Sequence, residues 1–195
     1  ITELKQILGL QQGKDYSDPA SLRTMRYGHL MLMTDQDHDG SHIKGLVINF
    51  LHCFWPSLLK HHDFLREFVT PIVKVSKGRD AKVFFTLKEY GDWRAGIGDA
   101  ISSYTVKYYK GLGTSTAAEA KAYFSDLPRH ELTFRWEGDS AAACLKRVFA
   151  KSHVEARKEW LRAYDPSLYV DHSASHIDYA TLVDHELIHF SNADT

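Results

Sequence analysis

A chain of 195 residues, 44% of them hydrophobic, has material for one domain of ordinary size, or for one domain and part of a second. Its 24 Lys and Arg stand against 25 Asp and Glu, so the formal charge is -1 and any affinity for an acidic polymer must rest on local charge. No run approaches the roughly 20 apolar residues of a membrane span, and no signal peptide opens the chain. Cys53 and Cys144 make no metal spacing and read as reduced core or near-core residues. The first residue is Ile1, already inside a helical pattern, which gives the expectation of an internal fragment.

Ile1, Leu4, Ile7 and Leu8 predict a short helix, followed by a polar connection to about Arg23. Leu30 to Met33 form a continuous apolar run, which suits a strand covered on both faces. From Gly40 onward Ile43, Leu46, Val47, Phe50, Leu51 and Phe54 recur at helical steps, predicting a helix that buries this stripe. Trp55-Pro56 predicts a bend, and His61 and His62 read as partners for terminal carbonyls. The stretch Glu67 to Lys77 predicts one strand, Lys82 to Leu87 a second and Thr105 to Lys110 a third, with a brief helix around Tyr90 and Trp93. A tight turn at Gly111-Leu112-Gly113 precedes a capping box of Thr116 and Glu119. Asp139 or Ser140 is read as the cap of a further helix, and Ser152 with Glu155 as another capping box. Residues 146–162 carry six Lys and Arg against two Glu, a basic helical face, whereas residues 165–195 carry six acids and no Lys or Arg. Ile177, Leu182, Leu187, Ile188 and Phe190 predict a last helix.

Between the first strand and its helix lie Asp35, Asp37 and Asp39, at a carboxyl end of a strand, where ligands gather in open α/β sheets. Three carboxylates so close repel one another unless a cation neutralises them. Oxygen-only ligation favours Mg²⁺, Mn²⁺ or Ca²⁺ over Zn²⁺ and has little need of His38. An extended backbone would point Asp35 and Asp37 the same way, toward a shared ion. An EF-hand calcium loop fits the first six positions from Asp35 but fails at the twelfth, where a bidentate Glu is needed and Leu46 stands. Simple helix capping would explain one or two of the aspartates. The Gly111 turn, beside Lys107 and Lys110, can hold a phosphate at a helix N-terminus; the plain alternative is a βα turn with solvent-facing lysines.

The stretch MTDQDHDGSHIKGL at 33–46 resembles the acidic motif of the Toprim domain in eukaryotic type IIA DNA topoisomerases. Matches continue with RYGHLM at 26–31, EFVTPIVKVSK at 67–77, KYYKGLGTST at 107–116, RKEWL at 157–161 and ELIHFSNAD at 186–194, in the family's order. Bacterial gyrase-like relatives differ at the second and third of these stretches outside the aspartates, so the resemblance is to the eukaryotic branch.

The resemblance implies an α/β, Toprim-type, partly parallel sheet with flanking helices. It places the C-terminal part of that domain at 1–130 and a mainly helical connection at 131–195, leading into a winged-helix domain. It implies Asp35 and Asp37 as Mg²⁺ ligands, with Asp39 in support or as an alternate, and Mn²⁺ or Ca²⁺ as substitutes. Lys44, Lys107, Tyr109, Lys110 and Gly111 are implied at the DNA, and His42 in orienting the turn. The parent enzyme would be a nuclear homodimer with no membrane part, acting on double-stranded DNA and using ATP bound elsewhere. Its nucleophilic tyrosine and partner glutamate would lie outside this stretch. The wording of Glu137 to Ala141 matches the family's glutamate motif, but the family carries that motif upstream of the aspartates. A rival reading, a Toprim-type nuclease or primase, would not need the long match around KYYKGLGTST; a non-enzymatic rival is the calcium-binding module.

Overall fold

The computed structural model describes residues 2–109, 111–172 and 174–193. Helix α1 (Thr2–Leu8) and the single turn α2 (Pro19–Leu22) flank a polar connection anchored by Tyr16. The Tyr16 ring is fully buried; its amide donates to Ser57 Oγ at 2.9 Å and its hydroxyl accepts from the Gln11 amide at 3.0 Å. Strand β1 (Leu30–Leu32) leads through the acidic turn into α3 (His38–Phe54) and then α4 (Pro56–Lys60). The bend falls at Trp55, as expected where a proline cannot continue the helix before it.

Next come β2 (Leu65–Phe68), β3 (Val73–Lys77), β4 (Asp80–Phe84), α5 (Leu87–Ile97), β5 (Thr105–Tyr108) and α6 (Ala117–Ser125). The chain continues through β6 (Glu131–Arg135), α7 (Asp139–Phe149), α8 (Val154–Arg162), β7 (His176–Asp178) and α9 (Tyr179–Leu182). A π-helical turn, Val183–Leu187, then joins α9 to α10 (Ile188–Ala193). One sheet has the order β1-β2-β6-β7, with β1 and β2 parallel, β2 and β6 antiparallel, and β6 and β7 parallel. The other, β4-β3-β5, is antiparallel. This is the α/β architecture with a partly parallel sheet and flanking helices. Among the described residues no helix is long and apolar enough to cross a membrane.

Several local expectations change. The single strand predicted over Glu67 to Lys77 is two strands in different sheets, broken around Pro71, which has no amide to give a ladder. Strands β6 and β7, in the stretch read as a helical connection, complete the first sheet, and the main core runs from Leu8 to Ile188. Ile177 accordingly lies in a strand. Gly138 stands at the N-cap of α7 with no side-chain cap, and α8 starts at Val154 after a 3₁₀ turn, so neither the Asp139 or Ser140 cap nor the Ser152 box forms. The Thr116 and Glu119 box does form, and Thr86 with Glu89 makes another.

Helix α3 has the predicted period but a shifted phase: Leu51 is buried and Val47 and Phe50 pack against the core, as predicted, but the centre of the buried face lies elsewhere. Its buried residues are Gly40, Ser41, Lys44, Gly45, Ile48 and Leu51, whereas Ile43, Leu46 and Phe54 are about half exposed. The small residues decide this, because a Cβ on Gly45 would stand 2.8 Å from Leu187 and 3.1 Å from Phe149. Only the glycine lets the π-helical turn pack so closely. In β1, Leu32 alone is buried and Met33 beyond it is exposed, fitting a strand with one partner. Cys144 lies in the core, its thiol pushed up to about 12 by burial, but Cys53 is exposed. His61 contacts the Tyr16 carbonyl, not a helix-terminal one.

Candidate acidic site and the loop that holds it

The acidic turn is shaped by glycines on two sides. Gly40, in the first turn of α3, lies against the Asp35 backbone: a Cβ there would stand 1.9 Å from the Asp35 carbonyl oxygen. Gly111, far along the chain, lies against the Asp35 carboxylate, where a Cβ would come within 2.6 Å of Oδ2. Next to it the Leu112 amide donates to Asp35 Oδ1 at 2.7 Å. The acidic motif and the GLG turn, separate in sequence, therefore form one structure. Asp37 is the N-cap of α3, its Oδ1 accepting from the Gly40 amide at 2.8 Å. Asp39 follows in the first helical turn and is exposed, where a carboxylate suits the positive end of the helix dipole. Because the helix starts at His38, the stretch is not an EF-hand loop, which stays irregular well past that point.

Among the described residues no three His, Cys, Asp or Glu side chains are grouped to hold a metal ion. A closed cage is thus absent among the described residues. Mg²⁺, however, is commonly held by one or two carboxylates with waters and phosphate oxygens completing the shell. Asp35 and Asp37 each commit one carboxylate oxygen to a backbone amide.

The other implied site residues are placed less simply. Lys44, expected at a DNA phosphate, is 1% exposed and ion-paired with Glu67 at 2.5 Å and with Glu186, so it cannot meet DNA in this structure. The two carboxylates that bury it come from β2 and the π-helical turn. The Tyr109 side chain is also buried and donates to Glu119 Oε1 at 2.6 Å, which removes it from a DNA surface. Lys107 bonds Glu119 Oε2 at 2.8 Å and Lys74 bonds Oε1 at 3.2 Å. Glu119 is thus the hub of the loop. Although burial opposes it, these donors, led by Lys107, hold its carboxyl well below the usual range. Sequence had shown Glu119 only as half of a capping box. Lys110 lies outside the described residues. The His42 ring stacks on Phe190 of α10 with centroids 4.1 Å apart. Glu137 accepts from the Ala180 amide at 3.0 Å, at the start of α9.

Burial disfavours a charge on Lys44, yet Glu186 and Glu67 outweigh it and keep the ammonium protonated. Burial likewise opposes ionisation of Glu186, but Lys44 and Ser41 lower its pKa on balance. Glu67 is pushed up to about 7 by burial, with Lys44 opposing and Glu186 adding to the shift. A carboxyl that binds its proton more tightly when folded adds stability fully present below its unfolded pKa and lost as pH rises through the folded one. Glu67→Gln, always neutral, is therefore expected to match wild type below about pH 4 and to gain on it as pH rises to about 8, on the order of 3 kcal/mol. Urea unfolding across that range reads the gain; a constant difference between the two proteins would sink the assignment.

A cavity of about 580 Å³ opens beside the turn, with Asp37, Asp39, His172, Glu186, His189 and Phe190 among its walls. His172 is held below the usual histidine range by burial.

Residues 68–195 match the family described as the C-terminal associated domain of TOPRIM. The chain is 48% identical over 195 residues to a protein of Pisum sativum named DNA topoisomerase 2, covering 100% of this chain and 13% of that protein. It is 51% identical over 193 residues to "DNA topoisomerase 2, mitochondrial" of Dictyostelium discoideum, covering 98% of this chain and 15% of that one. Among solved structures it is similar to the Plasmodium falciparum topoisomerase II DNA-binding, cleavage and re-ligation domain, with a TM-score of 0.93 and 47% identity over 100% of this chain and 26% of that one. The chain thus spans about an eighth of the length of the first of these relatives.

Proposed function

The chain belongs to the family of the C-terminal associated domain of TOPRIM and corresponds to part of a type II DNA topoisomerase, and from that premise we propose that it supplies the acidic metal site of the DNA cleavage centre. The observation that carries the proposal is the contact of the GLG turn with Asp35, which brings the two most family-like motifs together at one carboxylate. Asp35 and Asp37 would hold Mg²⁺, with Mn²⁺ or Ca²⁺ able to replace it and Asp39 within the same turn. When bound, such an ion supplies positive charge to a scissile phosphate and its leaving oxygen. The chain's own part is to aim the carboxylates: the Leu112 amide fixes Asp35, and the start of α3 fixes Asp37. Of the DNA contacts implied by resemblance, Lys107 and Gly111 remain in the proposal, with Lys110.

The whole enzyme in this proposal is an ATP-dependent homodimer that cleaves, passes and religates double-stranded DNA, with ATP bound outside this chain. We place it in the nucleus; the Dictyostelium relative is named mitochondrial. The experiment is a pair of measurements on this chain. Mn²⁺ binding, followed by water-proton relaxation, is expected and is expected to vanish in Asp35→Asn, while relaxation of supercoiled DNA is expected to be absent. Relaxation that Asp35→Asn abolishes would overturn the proposal in favour of a self-contained nuclease-like enzyme, and Mn²⁺ binding indifferent to Asp35→Asn would remove the metal site.

A further inference from the structure

We propose that Glu186 and Lys44 are positioning residues that tie the start of α3, and with it the acidic turn, to the π-helical turn Val183–Leu187. The inference rests on the acidic-site reading above only for its functional meaning; the mechanical link stands on its own geometry. Lys44 and Glu67 are each 1% exposed, and Lys44 joins Glu67 on β2 to Glu186 on the π-helical turn. Burying such charges is expensive, and well-packed apolar replacements are often as stable or more so. Stability therefore does not explain the network, and fixed geometry does. Three residues before Lys44, on the same helical face, Ser41 Oγ lies 2.5 Å from Glu186 Oε1 and 3.0 Å from the Asp37 carbonyl oxygen. The single hydroxyl proton goes to the charged acceptor. Glu186 thus grips α3 at two points, beside the residue that caps it. Gly45 on that face admits Leu187 at close range, and His42 stacks on Phe190, so the stretch from Val183 to Phe190 is seated on the first half of α3. A π-helical turn is rare and recurs at functional sites. The consequence is that any movement of the C-terminal segment reaches the Asp37 cap.

The test needs no metal. Amide hydrogen exchange on this chain compares Gly40 and Ser41, at the helix start, with two controls: Trp55, whose amide donates to the Leu51 carbonyl, and Val69, whose amide donates to the His130 carbonyl. Glu186→Gln is expected to lower protection at Gly40 and Ser41 about tenfold and to leave both controls unchanged. Ser41→Ala, which alters no charge, is expected to do the same at Gly40, and the double variant no more than either single one. Unchanged Gly40 protection in both variants, or an equal loss at Trp55, would overturn the link. Should Glu186→Gln not fold, Ser41→Ala decides alone. The Mn²⁺ titration of Asp35→Asn reports separately on the acidic site, so its failure leaves the exchange result standing.

Discussion

Gly40→Ala is expected to destabilise the chain by more than about 3 kcal/mol, although alanine favours a helix by about 1 kcal/mol over glycine. The two effects oppose each other, and the distances decide. The added methyl would stand 1.9 Å from the Asp35 carbonyl oxygen, 2.9 Å from its carbon and 3.2 Å from its nitrogen. All three are backbone atoms, which cannot turn aside as a flexible side chain can. Relief requires the acidic turn to move off α3, with loss of the Asp37 cap and of the Leu112 bond to Asp35. Gly113→Ala is the matched control, since nothing lies within 4 Å of its Cβ position. It is expected to change stability by about 0.5 kcal/mol or less. Urea unfolding of the pair measures the contrast. Equal stabilities would mean that the turn is not packed against the helix as described.

That contact also marks how far the sequence could be read. The apolar run, the three alternating aspartates and the helical period after Gly40 were enough to predict strand, turn and helix in order, because each is a local pattern. The phase of α3 was not local. Of the six residues that carried the apolar signal, Leu51, Val47 and Phe50 face the core but Ile43, Leu46 and Phe54 do not, because the buried face also takes Gly40, Ser41 and Gly45, whose value lies in what they let approach. Lys44, placed at the DNA by resemblance, could not be seen to be buried for the same reason: its two carboxylates lie 23 and 142 positions away in the chain. The break at Pro71 could have been read from the missing amide, but which sheet each half joins depends on pairing with β6 and β5. Glu119 shows a further limit. Its capping box is legible, while its bonds to Lys74, Lys107 and Tyr109 appear only when β3 and β5 lie side by side.

In the complete enzyme, Asp35→Asn and Asp37→Asn are each expected to lower DNA cleavage about 100-fold or more, some 3 kcal/mol of transition-state stabilisation. The substitution is chosen for what it keeps. Asparagine caps a helix as well as aspartate, so Asp37→Asn retains the bond from the Gly40 amide and the start of α3. The amide oxygen of Asp35→Asn can likewise accept from the Leu112 amide, and neither change adds bulk beside Gly111. Folding should be unchanged or slightly improved, because one charge of a mutually repelling cluster is gone. What is lost is the negative charge that binds a cation, so a fall in cleavage without a fall in stability assigns that charge to metal binding and not to the turn's architecture. Raising Mg²⁺ should restore part of the activity in the weaker variant if the two carboxylates share an ion. The decisive measurement is DNA cleavage across a Mg²⁺ titration, with the urea midpoint recorded for each protein. Wild-type rates in both variants at every Mg²⁺ concentration would make the cluster structural: Asp37 a helix cap, Asp35 the anchor of the GLG turn, and neither a ligand.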